Sequence, residues 1–206
     1  TPTGPSSTTT WLRSQRVAID NPGGYAFVGS GNSLQVLDVQ LKGEAGVEQV
    51  VKSIDLGQRV MAVATSADLA RVFAAVAWTS TSPGGVWVID GVALQKADAV
   101  PTTPGADRID LPYGQSPTAI ALDPTGHFLY VAATGAVFVI DIDPGSIKLH
   151  QVVDTIPIST ATGKINDLAV NADGTRLYLT APATELYGGT TAWVRGGRDP
   201  GQVLVV

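Results

Sequence analysis

Apolar positions in this chain gather in short runs of roughly four to eight residues, the length of a β-strand. Most of these runs are followed within a few residues by Gly, Pro, Asn or Asp. Four times the same order returns: an apolar-Ala-apolar run, a turn, a second apolar run, then a third ending in Asp. The clearest copy is Ala119 to Val131 (AIALDPTGHFLYV), followed by Val137 to Asp141 (VFVID). Unit one, Val17 to Val28 (VAIDNPGGYAFV), aligns with it without a gap, setting Gly23 on Gly126, Phe27 on Tyr130 and Asp38 on Asp141. Unit four is Leu168 to Leu179 (LAVNADGTRLYL). Unit two is degenerate: its first turn, starting at Ser66, lacks the glycine, but Val86 to Asp90 (VWVID) restores the pattern.

The equivalent aromatics Phe27, Phe73, Tyr130 and Tyr178 are spaced by 46, 57 and 48 residues. A period of roughly 40 to 50 residues carrying four short strands is that of a propeller blade. Val50 to Leu56, Arg108 to Leu111 and Val152 to Ile158 supply fourth strands, the first two followed by Gly57-Gln58 and Gly114-Gln115. Small residues are required where first strands converge on the axis, and Ala18, Ala64, Ala121 and Ala169 stand there. Runs such as Val137 to Ile140 and Val203 to Val206 are apolar throughout rather than alternating, as expected when both faces of a sheet are covered. No window keeps a helical period, and 23 Gly with 13 Pro fit a chain of many turns.

The expected fold is therefore all-β: a β-propeller of about four four-stranded blades, with units at about 16–58, 59–116, 117–164 and 165–206. Either the four close a ring or they form part of a larger propeller. Val203 to Val206 stops where the other units place Asp and a fourth strand, so either the chain continues or the missing strand comes from elsewhere. Residues 1–15 read as a Pro/Ser/Thr linker, within which Thr8 to Arg13 could serve as the closing outer strand.

The stretch Pro117 to Val131 (PTAIALDPTGHFLYV) resembles the YVTN-type β-propeller repeat, and Ala172 to Leu179 (ADGTRLYL) is similar to it. The resemblance runs from about residue 16 to 206 and implies the blade fold. Families built on such blades include surface-layer proteins, sugar-lactone hydrolases and electron-transfer or oxidoreductase subunits, so the resemblance leaves the activity open.

A formal charge of −5 with no basic run argues against nucleic acid, whose phosphates demand clustered Lys and Arg. The absence of Cys excludes disulfides, thiolate metal sites and Cys nucleophiles. Low charge and abundant Thr, Ser and Gly point to an exported protein, at the cell surface, outside the cell or in the periplasm. No apolar stretch approaches the ~20 residues of a membrane helix. The chain opens on Thr1 rather than Met, from which a removed leader or an excised piece is expected.

Candidate chemistry is sparse. Blade turns alternate between two faces, and the two long second-to-third-strand insertions, Ala77 to Gly85 and Pro182 to Pro200, land on the same one. Their Trp78, Tyr187, Trp193, Arg195 and Arg198 are the candidate ligand-binding residues for a protein, a glycan or neighbouring domains. The two histidines, His127 and His150, fall on the opposite face and read as solvated turn residues, without a second His at zinc-ligand spacing. Asp38, Asp90 and Asp141 recur because the blade recurs and read as turn formers; Asp141 with Asp143, and Asp173, lack the spacing of a calcium loop. No Gly-x-Ser-x-Gly elbow occurs, and neither Gly29 to Asn32 nor Gly84-Gly85 opens a helix as a phosphate loop does. Asp20, Asp123 and Asp167, near the ends of inner strands, are too thin a set to nominate as a lactonase site. The expectation is a non-catalytic scaffold or binding module without cofactor or metal, able to pair as a homodimer through open edges. The alternative is a piece of a propeller enzyme, lactonase-like or an oxidoreductase subunit.

Overall fold

The computed structural model describes residues 17–19, 24–42, 48–66, 70–98, 107–158, 165–181, 191–193 and 202–206. Every regular element among them is a β-strand, and the strands form four antiparallel sheets. The first sheet runs in chain order through β1 (Val17–Ile19), β2 (Tyr25–Ser30), β3 (Ser33–Lys42) and β4 (Glu48–Asp55). The second runs through β5 (Val60–Thr65), β6 (Arg71–Val76) and β7 (Gly85–Asp90), and its outer edge is shared by β8 (Gln95–Lys96) and β9 (Arg108–Asp110), which pair with opposite ends of β7. The third is β10 (Ala119–Leu122), β11 (Phe128–Ala133), β12 (Ala136–Asp141) and β13 (Val152–Pro157). These are blades one to three, with the strands where the repeat pattern puts them.

Blade four departs from the rule. After β14 (Asp167–Val170) and β15 (Leu177–Ala181) come β16 (Thr191–Trp193) and β17 (Gln202–Val205), and the order in the sheet is β14-β15-β17-β16. The outer place is thus filled from inside the long insertion: Thr191 to Trp193 folds back antiparallel on Leu204 to Gln202. Thr8 to Arg13, the segment expected at that edge, lies outside the described residues, as does the rest of the 1–15 linker.

Local chemistry explains the recurrence. Strand-end aspartates accept hydrogen bonds from the backbone two residues on: Asp38 from Gln40 N at 2.9 Å, Asp90 from Val92 N at 2.8 Å, Asp141 from Asp143 N at 3.0 Å. These are Asx turns, which release the chain from the third strand. Gly57 and Gly114 take φ of 72° and 85°, a left-handed region open to glycine at little cost, and steer the outer strand into the next blade. Blades one and three carry a β-bulge at the same place, between Val36 and Leu37 and between Val139 and Ile140, so the ungapped alignment holds down to an irregularity.

Side chains alternate across each sheet, and both sides of the middle blades are covered. Phe27, Leu34 and Val36 pack with Val63, Val72 and Ala74 between blades one and two. Phe73, Ala75 and Val88 meet Val131, Phe138 and Ile140 between blades two and three. Ala132 and Val137 meet Leu168 and Leu179 between blades three and four. The inner strands β1, β5, β10 and β14 follow one another across these seams, each packed on the next. At the two ends of the described arc, Ile19, on the side of β1 turned away from blade two, is 60% exposed, and Ala169 of β14 is exposed as well. Phe73 is fully buried in the seam between blades two and three, so Phe73→Ala should cost about 3 to 5 kcal/mol and lower the chemical-denaturation midpoint accordingly.

Candidate functional site

The insertion of blade two stands over the seam with blade three, and polar side chains below hold it in place. Gln58, buried after the Gly57 turn, donates from Nε2 to the carbonyls of Ala77 at 2.7 Å and Pro83 at 2.9 Å. Its Oε1 accepts from Arg108 Nη2 at 2.8 Å, which also reaches the Pro83 carbonyl at 2.7 Å. Arg108 Nη1 pairs with Asp110. Trp87 lies beneath, its indole N–H donating to Leu56 O at 3.1 Å and its ring flanked by Lys96 Nζ at 4.1 Å and the Arg108 guanidinium at 5.6 Å. Gly84 and Gly85 are needed for this close packing: a Cβ on Gly84 would overlap the Gln115 carbonyl, and one on Gly85 would come within 2.5 Å of the Ile109 carbonyl. Gly84→Ala should therefore lower stability by about 2 kcal/mol and loosen the loop, seen as a lower melting temperature and faster proteolysis near Ser80.

What this loop presents is aromatic. Trp78 packs edge-on against Tyr113, with ring centroids 5.5 Å apart at 89°. Trp78 N donates to Ser116 Oγ at 3.0 Å, and the Tyr113 hydroxyl donates to Ser80 O at 3.2 Å. Trp78 is 36% exposed and Tyr113 69%. Of the five residues expected to bind ligand, Trp78 is on this surface. Trp193 belongs to β16, an edge strand rather than a loop, and Tyr187, Arg195 and Arg198 lie outside the described residues. Tyr113, Gln58 and Arg108 were not foreseen as site residues. The repeated Gly-Gln after outer strands was the signal for Gln58, and Tyr113 was findable as an aromatic in a link on the insertion face.

The opposite face holds a cleft of about 540 Å³ at the same seam, reached by Thr65, Arg71, Asp123, His127 and Asp143. Its carboxylates are engaged in their own turns: Asp123 accepts from Thr125 N at 3.1 Å and from the Thr125 hydroxyl, and Asp143 accepts from Gly145 N at 2.8 Å. Arg71 donates to the Ile142 carbonyl and lies over the Phe73 ring at 5.8 Å, tying blade two to blade three. Among the described residues, no group of three His, Cys, Asp or Glu side chains is placed to hold a metal ion.

His127 is exposed at the rim of this cleft, as a turn residue should be. His150 is not the solvated turn residue expected. Its side chain is only 5% exposed, its Nδ1 lies 3.4 Å from Asp107 Oδ2, and its backbone takes φ of 62°. The ring lies inward, beside Asp107, the residue that precedes β9. Burial lowers the His150 pKa, and the Arg71 charge adds to this against the opposing pull of Asp107 and Asp141. A base whose folded pKa lies below its unfolded value takes up fewer protons when folded, so its stabilising contribution is whole above about pH 6.5 and lost as pH falls toward the folded pKa. The melting temperature should therefore drop between pH 7.5 and 5.5, and His150→Gln should flatten that dependence.

No curated protein matches this chain. Residues 13–40 and 121–155, in units one and three, match the LVIVD repeat, a β-propeller repeat family. Among solved structures, a Kuenenia stuttgartiensis hydrazine synthase chain superposes with a TM-score of 0.62 at 21% identity, over 80% of this chain and 42% of that one. The Cps50 (Swd1) β-propeller domain of Myceliophteria thermophila superposes with a TM-score of 0.54 at 17% identity, over 81% of this chain and 48% of that one. This chain spans less than half the length of either, and at these identities the likeness is one of fold. The chain has the β-propeller fold, its described strands form four blades, and stretches in two of them match the LVIVD repeat.

Proposed function

We propose that this chain is a non-catalytic scaffold of an exported or cell-surface prokaryotic protein, and that it binds a protein, a glycan or an adjoining domain through its insertion face. One observation carries the reading: exposed Trp78, on a loop fixed to the blade seam by Gln58 and Arg108, packs against exposed Tyr113 of the link into blade three. Aromatic rings held by a rigid frame offer contact area at small entropic cost, which is why Trp and Tyr dominate binding hot spots. The low charge and the Thr, Ser and Gly content support the exported location. Among the described residues no helix is long and apolar enough to cross a membrane. Of the inner-strand aspartates weighed for the enzyme alternative, Asp123 accepts hydrogen bonds within its own turn and Asp167 accepts from Leu168 N at 2.8 Å, which supports the scaffold reading. Asp20 lies outside the described residues.

Glycan and peptide arrays probed with the whole chain test this reading. Trp78→Ala and Tyr113→Ala should each weaken the strongest interaction at least tenfold, about 1.4 kcal/mol. His127→Ala, on the other face, should leave it unchanged. Binding that survives both aromatic substitutions, or is lost with His127→Ala, would move the site off this face.

A further inference from the structure

Gln115 holds the same place in the repeat as Gln58, one blade later, with nothing in its grasp. The links Asp55 to Gln58 (DLGQ) and Pro112 to Gln115 (PYGQ) align at the offset that sets Phe73 on Tyr130, and each turns on a left-handed glycine, Gly57 or Gly114. In the first link Leu56 and Gln58 are buried, 2% and 8% exposed, and Gln58 clasps both ends of the loop from Ala77 to Pro83. In the second, Tyr113 takes the place of Leu56 and is 69% exposed. Among the described residues no hydrogen bond engages the Gln115 side chain. Its Oε1 is shut off from water without a partner, while Nε2, the end with which Gln58 holds its loop, is open to solvent.

Blade three lacks both groups that complete the site in blade two. Only Thr134-Gly135 joins β11 to β12, where blade two inserts residues 77–84. Thr155, which pairs with Phe138 as Arg108 pairs with Trp87, replaces the arginine that binds Gln58 Oε1. The link that carries Gln115 also carries half of the aromatic pair, Tyr113, and its Ser116 Oγ accepts from Trp78 N. A free amide and two exposed rings thus stand on one short stretch of the insertion face.

We propose that a short peptide binds there, a backbone carbonyl accepting from Gln115 Nε2 while an apolar side chain lies in the corner between Trp78 and Tyr113. The proposal rests on the binding role given to the insertion face and narrows the partner to polypeptide. Two observations favour peptide over glycan. What Gln58 holds one blade earlier is backbone, the carbonyls of Ala77 and Pro83, and a peptide repeats that group at every residue. The rings of Trp78 and Tyr113 meet at 89°, a corner that receives a side chain rather than the flat platform on which a sugar ring lies. Hydrogen bonds to Ser116 and Ser80 fix the corner beforehand, so little freedom is lost on binding. The charged residues of the adjoining strand, Arg108 and Asp110, pair with each other, which suits an uncharged side chain.

Selection from random short peptides displayed on phage, against the whole chain, should enrich sequences with an aromatic or aliphatic residue. The tightest of them, synthesised and titrated by calorimetry, is the probe. Gln115→Met removes the amide, and Gln115→Glu keeps its shape but loses the donor; each should weaken the peptide roughly tenfold. The melting temperature of Gln115→Met should stay at the wild-type value, because the side chain holds nothing in the free chain. Peptides weakened by Trp78→Ala but indifferent to Gln115→Met overturn this inference and leave the insertion-face reading standing. So does glycan binding at the aromatic pair with no peptide enriched. Peptides indifferent to Trp78→Ala, Tyr113→Ala and Gln115→Met alike bind elsewhere and overturn both.

Discussion

Every seam in this molecule depends on one contact: the small first-strand residue and bulky second-strand aromatic of one blade pressed onto the aliphatic face of the next. Phe27 and Phe73 are buried in such seams, and Tyr130 and Tyr178 hold the equivalent places. The first strands converge near the axis, where alanine is what fits, so the aromatic one strand farther out fills the widening wedge. A sheet covered on both sides has no solvent face, which is why β12 is buried along its whole length. The apolar area removed from water at successive seams is the main stabilising term, and it is non-directional. Direction comes from the turns.

Those turns leave the two faces of the arc chemically different. On one, left-handed glycines deliver Gln58 beneath a long loop and aromatics above it, a rigid platform rich in ring surface. On the other, aspartates and threonines are consumed by their own backbones, and the cleft between blades two and three is walled by groups already hydrogen-bonded. Arg71 and the His150–Asp107 contact lie close behind it and join blade two to blade three. Burial and the Arg71 charge both disfavour the protonated form of that imidazole.

Much of this was legible because a repeat compares the chain with itself. The period, the strand-end aspartates and the first-strand alanines each follow from a requirement that returns with every blade, and the structure meets them in the same register. What was not legible is what occurs once. His150 reads as a loop histidine because nothing in Leu149-His150-Gln151 encodes its left-handed backbone or the approach of Asp107 from blade two. Tyr113 becomes a partner of Trp78 only through the folding of a loop distant in sequence. The outer strand of blade four escaped because a three-residue strand inside an insertion has too little pattern to distinguish it from loop.

That strand also changes how the last blade can come into being. Among the described residues, the strand pairings of the fourth sheet join segments between Asp167 and Val205. Its outer strand is recruited from its own hairpin, so the sheet can be assembled without waiting for a distant part of the chain. The loops to be closed are short, and their entropic cost is correspondingly small. Low contact order speeds folding. The described pairings of blade four therefore need only its own residues, while blade three supplies the cover for Leu168 and Leu179.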